Sequence, residues 1–132
     1  MDETNFLKEN KLMNLASLSM GHGPRVVPVA FMYDKGKFYF STSRATRKVR
    51  NILANKQVGF SVEDSTRQKA VVGSGTARIL PGDDNHDAPL NKLVVHLVGS
   101  VHHPYAKIMM GPNRVIVEVS PKTMRSWELP PT

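Results

Sequence analysis

The segment Tyr39 to Ile52, YFSTSRATRKVRNI, sets four hydroxyls (Ser41, Thr42, Ser43 and Thr46) just ahead of two consecutive cations, Arg47 and Lys48. A hydroxyl donates a hydrogen bond with little bulk, a guanidinium grips two oxygens through its planar fork, and an ammonium adds a point charge. Together these groups suit a phosphate. The residues before them read as the end of a strand and those after as the start of a helix. Such a turn offers free backbone N–H groups and the positive end of the helix dipole to an anion. Neighbouring helical residues diverge by about 100°, so Arg47 and Lys48 could flank a group lying over the first turn. The same residues would also make an N-capped basic helix that binds nothing, and the segment alone leaves both readings open.

The charge of the chain points to the same place. Of 132 residues, 18 are Lys or Arg and 11 Asp or Glu, a net charge of +7. From Lys35 to Lys56 there are seven basic residues (Lys35, Lys37, Arg44, Arg47, Lys48, Arg50 and Lys56) and no acid, so this stretch holds the whole excess. A local positive field attracts a phosphate or a polyanion, although a merely solvated basic face has the same composition.

Other chemistries lack their residues. Without cysteine, neither a disulfide nor a thiolate metal site is possible. There is no G-x-G-x-x-G, no P-loop and no G-x-S-x-G nucleophile elbow. His22 falls in a turn, His86 in the acidic run Asp83, Asp84, Asp87, and only His102 and His103 are adjacent; no metal site is expected from them or from His96. No side chain is singled out as acid, base or nucleophile. The opening MDETNFLKEN carries three acids where an export signal needs a basic start, and Pro28 interrupts the longest apolar run, Val26 to Met32. A single cytoplasmic domain spanning residues 1–132, not a membrane protein, is the expectation.

The elements that must position these groups can be read from periodicity. Phe6, Leu7 and Met13 suggest a short amphipathic helix starting near Thr4. Leu12 to Met20 reads as a strand, Gly21-His22-Gly23-Pro24 as a turn, and RVVPVAFMY (25–33) as a second strand. Within it Pro28 cannot donate a ladder hydrogen bond, so it needs an edge, a bulge or a ligand for a neighbour. Asp34-Lys35-Gly36 predicts a tight hairpin into KFYFST (37–42). A helix follows over Thr46 to Asn55, then strands at Gln57 to Glu63 and Lys69 to Leu80, the latter free to bend at Gly73 and Gly75. An acidic loop (Pro81 to Asp87), a helix (Leu90 to Val101), a helical turn (Tyr105 to Met110), a strand (Arg114 to Val119) and a short extended piece (Thr123 to Leu129) complete the reading. The fold class is mainly β, an antiparallel, small closed or partly closed barrel with flanking helices.

The motifs R-V-V-P-V-A (25–30), Y-x-D-K-G-K-F-Y-F-S-T (Tyr33 to Thr42), T-R-K-V-R-N-I (Thr46 to Ile52) and V-G-S-G-T-A-R-I-L (72–80) occur in an order and spacing that resembles the pyridoxamine 5'-phosphate oxidase-like family of FMN-binding split barrels. The resemblance runs from about Met13 to Leu80 and less clearly on through Arg114 to Trp127. It implies a homodimer of split β-barrels with FMN at the interface and a small-molecule substrate. It further implies that Arg25, Thr46, Arg47 and Lys48 hold the FMN phosphate, and that Val27, Pro28, Val29, Ser41, Thr42 and Ser43 lie along the ribityl chain and ring. Trp127 and Met109 or Met110 would be candidates to cover the ring from the partner, if they are not ordinary core.

The departures shape the expected function. The tail TMRSWELPPT has no Arg-x-His to hold a substrate phosphate, Ala30 stands where the family has a lysine, and Gln68 is out of register for the flavin-contacting glutamine. The resemblance therefore implies a flavin-dependent oxidoreductase of this fold acting on a different small molecule from vitamin B6. An alternative is the 8-hydroxy-5-deazaflavin coenzyme, whose longer anionic tail would suit Arg44 and Arg50. A non-enzymatic nucleic-acid module is the remote third reading, since the basic stretch lacks interleaved aromatics for stacking.

Overall fold

The computed structural model describes residues 1–66, 68–80 and 87–129. Its elements in chain order are α1 (Glu3–Glu9), β1 (Leu12–Ser19), β2 (Gly23–Ala30), β3 (Met32–Asp34), β4 (Lys37–Ser43), α2 (Arg47–Ala54), β5 (Gln57–Glu63), β6 (Lys69–Ile79), α3 (Asp87–Val98), α4 (Pro104–Met109) and β7 (Arg114–Glu128). The seven strands form one antiparallel sheet in the order β2-β1-β5-β6-β7-β4-β3. It curls into a half-barrel flanked by helices. The acidic loop expected at Pro81 to Asp87 lies outside the described residues except for the start of α3, and so do Asp83, Asp84 and His86.

Local chemistry sets the turns. Lys35 and Gly36 have φ of 51° and 81°, the left-handed pair that a two-residue type I′ hairpin requires between β3 and β4. Gly73 faces a different constraint: a Cβ there would run into the Thr123 carbonyl and come within 2.7 Å of the Phe60 ring. Strands β6 and β7 approach too closely at that point for a side chain.

Inside the curl, alternate residues of each strand meet. Phe38 is fully buried, with its ring centroid 4.6 Å from Phe60, 4.9 Å from Tyr33 and 5.6 Å from Phe31. Burying one such ring contributes about 1.5–3 kcal/mol, and each tilted or edge-on pair about 0.5–1.5 kcal/mol more. Phe6 and Leu7 of α1 and Ile52 of α2 join this core. A second cluster lies on the outer face of β3, β4 and β7, where Leu90, Leu93 and Val94 of α3 and Ala106 and Met109 of α4 pack on Met32, Tyr39 and Ile116.

Helix α3 starts and ends three residues before the expected Leu90 to Val101, β2 starts at Gly23 inside the expected turn, and two stretches are divided differently from the sequence reading. The run 25–33 is two strands, because at Phe31 the chain leaves β1 for β4; the Phe31 N–H donates to the Lys11 carbonyl at 2.9 Å and its ring turns into the core. The last strand is continuous from Arg114 to Glu128, passing Pro121 through a bulge where Ser74 pairs with Thr123 but Gly75 with Pro121. Pairing with β4 has ended at Val119, so only the β6 side of that stretch needs satisfying.

Candidate functional site

The site arises from the way β2 departs. Met32 stands opposite Tyr39 and Asp34 opposite Lys37, a register that if continued would set Ala30 against Ser41 and Pro28 against Ser43. Instead β2 pairs with β1, Leu12 opposite Ala30 and Asn14 opposite Pro28. The facing edges of β2 and β4 therefore part, and a cavity of about 600 Å³ occupies the gap. Pro28 sits on this open edge strand, one of the places where a residue without an N–H is tolerated.

Of the ten residues selected from the sequence, Pro28, Val29, Ser41, Thr42 and Lys48 line the cavity. Arg25, Val27, Ser43, Thr46 and Arg47 do not. Arg25 stands opposite Ser17 and shares its face of the sheet, the face on which Asn51 of α2 donates to the Ser17 hydroxyl at 3.1 Å. Arg25 and Arg47 are exposed. Thr46 is the N-cap of α2, but its hydroxyl donates back to the Ser43 carbonyl at 3.0 Å, and it lies 3.5 Å from the Thr42 hydroxyl. No side chain caps the first turn of α2 and no acid stands in it, so its N–H groups keep their capacity for an anion.

One decisive residue was not selected. Arg114, the first residue of β7, lines the cavity beside Lys48. Its Nε donates to the Ser41 hydroxyl at 3.2 Å and its Nη2 to the Ser41 carbonyl at 3.1 Å, while the Ser41 hydroxyl donates to the Met109 carbonyl at 3.2 Å. Burial pulls the Arg114 guanidinium below its usual range. Burial, and then repulsion from Arg114, pulls the Lys48 ammonium down as well. Neither cation has a carboxylate partner among the described residues. Two positive groups held together without compensation favour whatever brings negative charge between them.

The rest of the wall is apolar. Leu97 and Val98 from the end of α3, with Tyr105 and Met109 from α4, close the side opposite β2. Met109 is thus part of its own chain's cavity wall. Met110 and Trp127 lie outside that lining and are 43% and 44% exposed. At the far end stands Lys11, next to the Leu12–Ala30 pair. The lining offers a flat, apolar body with an anionic substituent a place to lie; among the described residues it contains no carboxylate and no imidazole.

A separate polar cluster marks the sheet under α3 and α4. Glu118 accepts from Arg78 Nε at 2.8 Å and from the Tyr39 hydroxyl at 3.0 Å, and Lys37 Nζ stands 3.5 Å away. Burial would raise the Glu118 carboxyl, but the hydrogen bonds from Arg78 and Tyr39 and the charges of Arg78 and Lys37 bring it below its ordinary value. Tyr39 is pushed up to about 12 by burial and by its bond to Glu118.

The fold is shared widely. A conserved hypothetical protein of Mycobacterium tuberculosis superposes with a TM-score of 0.81 at 20% identity, over 100% of this chain and 91% of that one. An F420 reductase does so at 0.75 and 26%, over 95% and 97%, and a FAD-binding protein of Mesorhizobium loti at 0.71 and 21%, over 93% and 87%. No curated protein is significantly similar in sequence. The model of the family described as pyridoxamine 5'-phosphate oxidase matches residues 3–128, from α1 to the last residue of β7, and the chain belongs to that family.

Proposed function

We propose that the protein is an FMN-binding flavoprotein, an oxidoreductase acting on a small molecule, with the flavin bound in the split between β2 and β4. The observation that carries this reading is the uncompensated pair Lys48 and Arg114 at one end of a cavity otherwise walled by Pro28, Val29, Leu97 and Val98. When bound, the flavin supplies hydride or electron transfer. Lys48, Arg114 and the hydroxyls of Ser41 and Thr42 would hold its phosphate; Pro28 and Val29 would support its body. Leu97, Val98 and Met109 exclude water from the same space. The lining holds no carboxylate or imidazole among the described residues, and these side chains orient and shield the flavin.

The functional unit we propose is a homodimer. By strand alternation Ala16, Val26, Gly59 and Ser74 share the outer face of β2, β1, β5 and β6, and the described helices pack elsewhere. Val26 is exposed, as are Leu12, Leu18 and Trp127, and such apolar surface suits a partner.

The test is the absorption spectrum of the protein after incubation with FMN and desalting, with its mass measured in solution. Retained flavin bands on a dimer, lost on Lys48→Ala, are expected. A colourless protein that ignores FMN at micromolar concentration overturns the reading. A second reading, the 8-hydroxy-5-deazaflavin coenzyme, is favoured by the likeness to an F420 reductase at 26% identity and by the exposed cations Arg44 and Arg50 beside the same turn. Competition between the two cofactors separates them.

A further inference from the structure

His96 does not line the cavity, but it joins two parts of its wall. A carbonyl can only accept, so His96 Nε2 donates to the Asn10 carbonyl, 3.1 Å away and 86 residues earlier in the chain. On each side of this bond the chain passes from one hollow to another. Lys8 and His96 line a hollow of about 520 Å³ between α1, β3 and α3, together with Tyr33, Asp34, Lys92 and Val95. The residues that follow the bonded pair, Lys11 and Leu12 on one side and Leu97 and Val98 on the other, line the cavity instead. The bond is the partition between the two spaces.

The two sides of the partition are held unequally. Asn10 Nδ2 donates to the Phe6 carbonyl at 2.7 Å and the Lys11 carbonyl accepts from the Phe31 N–H at 2.9 Å, so the corner between α1 and β1 is tied on both sides. In α3, Leu90, Leu93 and Val94 are buried, whereas Val95 is 50% exposed and Leu97 and Val98 are only partly buried. Gly99 follows in the left-handed region, with a φ of 88°, and ends the helix. The ion pair of Lys92 with Asp34 lies a turn earlier and is exposed. Among the described residues, His96 makes the side-chain hydrogen bond that holds the last turn of α3.

We propose that His96 is a strap closing the cavity wall between the end of α3 and the α1–β1 corner, and that its release joins the outer hollow to the cavity as a side entrance for the small-molecule substrate. The strap stands on its own geometry; what the entrance serves rests on the flavin reading above. One neutral hydrogen bond favours the closed wall by about two- to tenfold. That ratio keeps the wall shut most of the time and lets it open without unfolding α3. A molecule entering here meets Leu12, Leu97 and Val98, while Lys48 and Arg114 at the opposite end stay with the cofactor.

The chain has no cysteine, so a single introduced thiol reports the opening. Val98→Cys lies on the cavity side of the strap, and Val94→Cys lies one turn earlier in the buried packing of α3. Each is labelled with a thiol reagent in flavin-free protein that carries His96, His96→Ala or His96→Gln. His96→Ala should speed labelling at position 98 by about two- to tenfold, the worth of one neutral hydrogen bond, and leave position 94 unchanged. His96→Gln, whose amide can donate, should return position 98 to the original rate. No change at position 98, or equal acceleration at both positions, would overturn the proposal, since the second result means that His96 only anchors α3. If His96→Ala does not fold, His96→Met, which keeps bulk and lacks the donor, is judged by the same outcomes. In the FMN-loaded protein, iodide should quench flavin fluorescence more steeply with His96→Ala than without it, and equal quenching would refute the side entrance. Labelling that depends on His96, in a protein that takes no flavin, would overturn the flavin reading and leave the strap standing.

Discussion

Helix α2 carries Lys48 into the cavity; Val49 and Ile52 bury its apolar side, and one buried hydrogen bond, from Asn51 Nδ2 to the Ser17 hydroxyl, 3.1 Å long, ties it to β1. Asn51 is 7% exposed and Ser17 4%. Asn51→Ala leaves the Ser17 hydroxyl without that donor, a loss of about 1–3 kcal/mol, of which alanine's better helix propensity returns a few tenths. A loss of about 2 kcal/mol, set against an unfolding entropy of about 0.28 kcal/mol/K for 132 residues, lowers the melting temperature by about 7 °C. Ser17→Ala strands the Asn51 amide at similar cost. The double variant leaves nothing stranded, so its loss should be about 1–1.5 kcal/mol smaller than the two single losses combined. Urea and thermal unfolding of all four proteins measure the cycle. Losses that simply add would refute the assignment of this bond as the polar tie between α2 and β1. A companion expectation is weaker FMN binding by Asn51→Ala at temperatures where it is fully folded, because Lys48 stands one turn from the lost anchor.

Three further expectations follow from the same structure. The depressed Glu118 carboxyl contributes stability that is present above the ordinary carboxylate value, about 4.3, and is lost as pH falls through its lower folded value. Glu118→Gln should therefore melt below the wild type at pH 6 and converge with it toward pH 3, and parallel curves would contradict that assignment. Gly73→Ala must displace both the Thr123 carbonyl and the Phe60 ring and should cost about 1–3 kcal/mol or more, whereas Gly59→Ala meets the Ala16 Cβ at 3.6 Å and the Gly73 carbonyl at 3.7 Å, ordinary contacts, and should be nearly neutral; equal melting temperatures for the two would sink the argument. Phe38→Ala, in the centre of the ring cluster, should lower stability by about 3–5 kcal/mol in chemical denaturation, and a loss under 1 kcal/mol would mean that the aromatic pairs do not carry the core.

Local signals in the sequence were enough for the elements that depend on local chemistry. Lys35-Gly36 could only be a tight hairpin, the spacing of Val49, Ile52 and the cations forecast α2, and Val58, Phe60 and Val62 alternate as one face of β5. What escaped depends on which strands become neighbours. Arg114 stands far along the chain from Lys48, and alternation within RVIVEV says nothing of its pairing with β4. The run 25–33 has no turn residue at Phe31 because its division is made by a change of partner and not by a loop. The residues read as a strand, Arg114 to Val119, and a separate extended piece from Thr123 are one strand, because the bulge opposite Gly75 carries β7 past Pro121.

The place of β7 in the sheet also governs how the molecule can be made. It lies between β6 and β4, so before it arrives the β3–β4 hairpin has no neighbouring strand beyond itself, and β2, β1, β5 and β6 form a separate piece. One late insertion joins the two pieces and delivers Arg114 to Lys48 in the same event. On the ribosome, where segments emerge one after another, the growing chain holds half of a charged site until Arg114 to Glu128 has cleared the exit tunnel. Such long-range pairing is slow, and a chain halted short of β7 would expose the open edges of β4 and β6 to other chains.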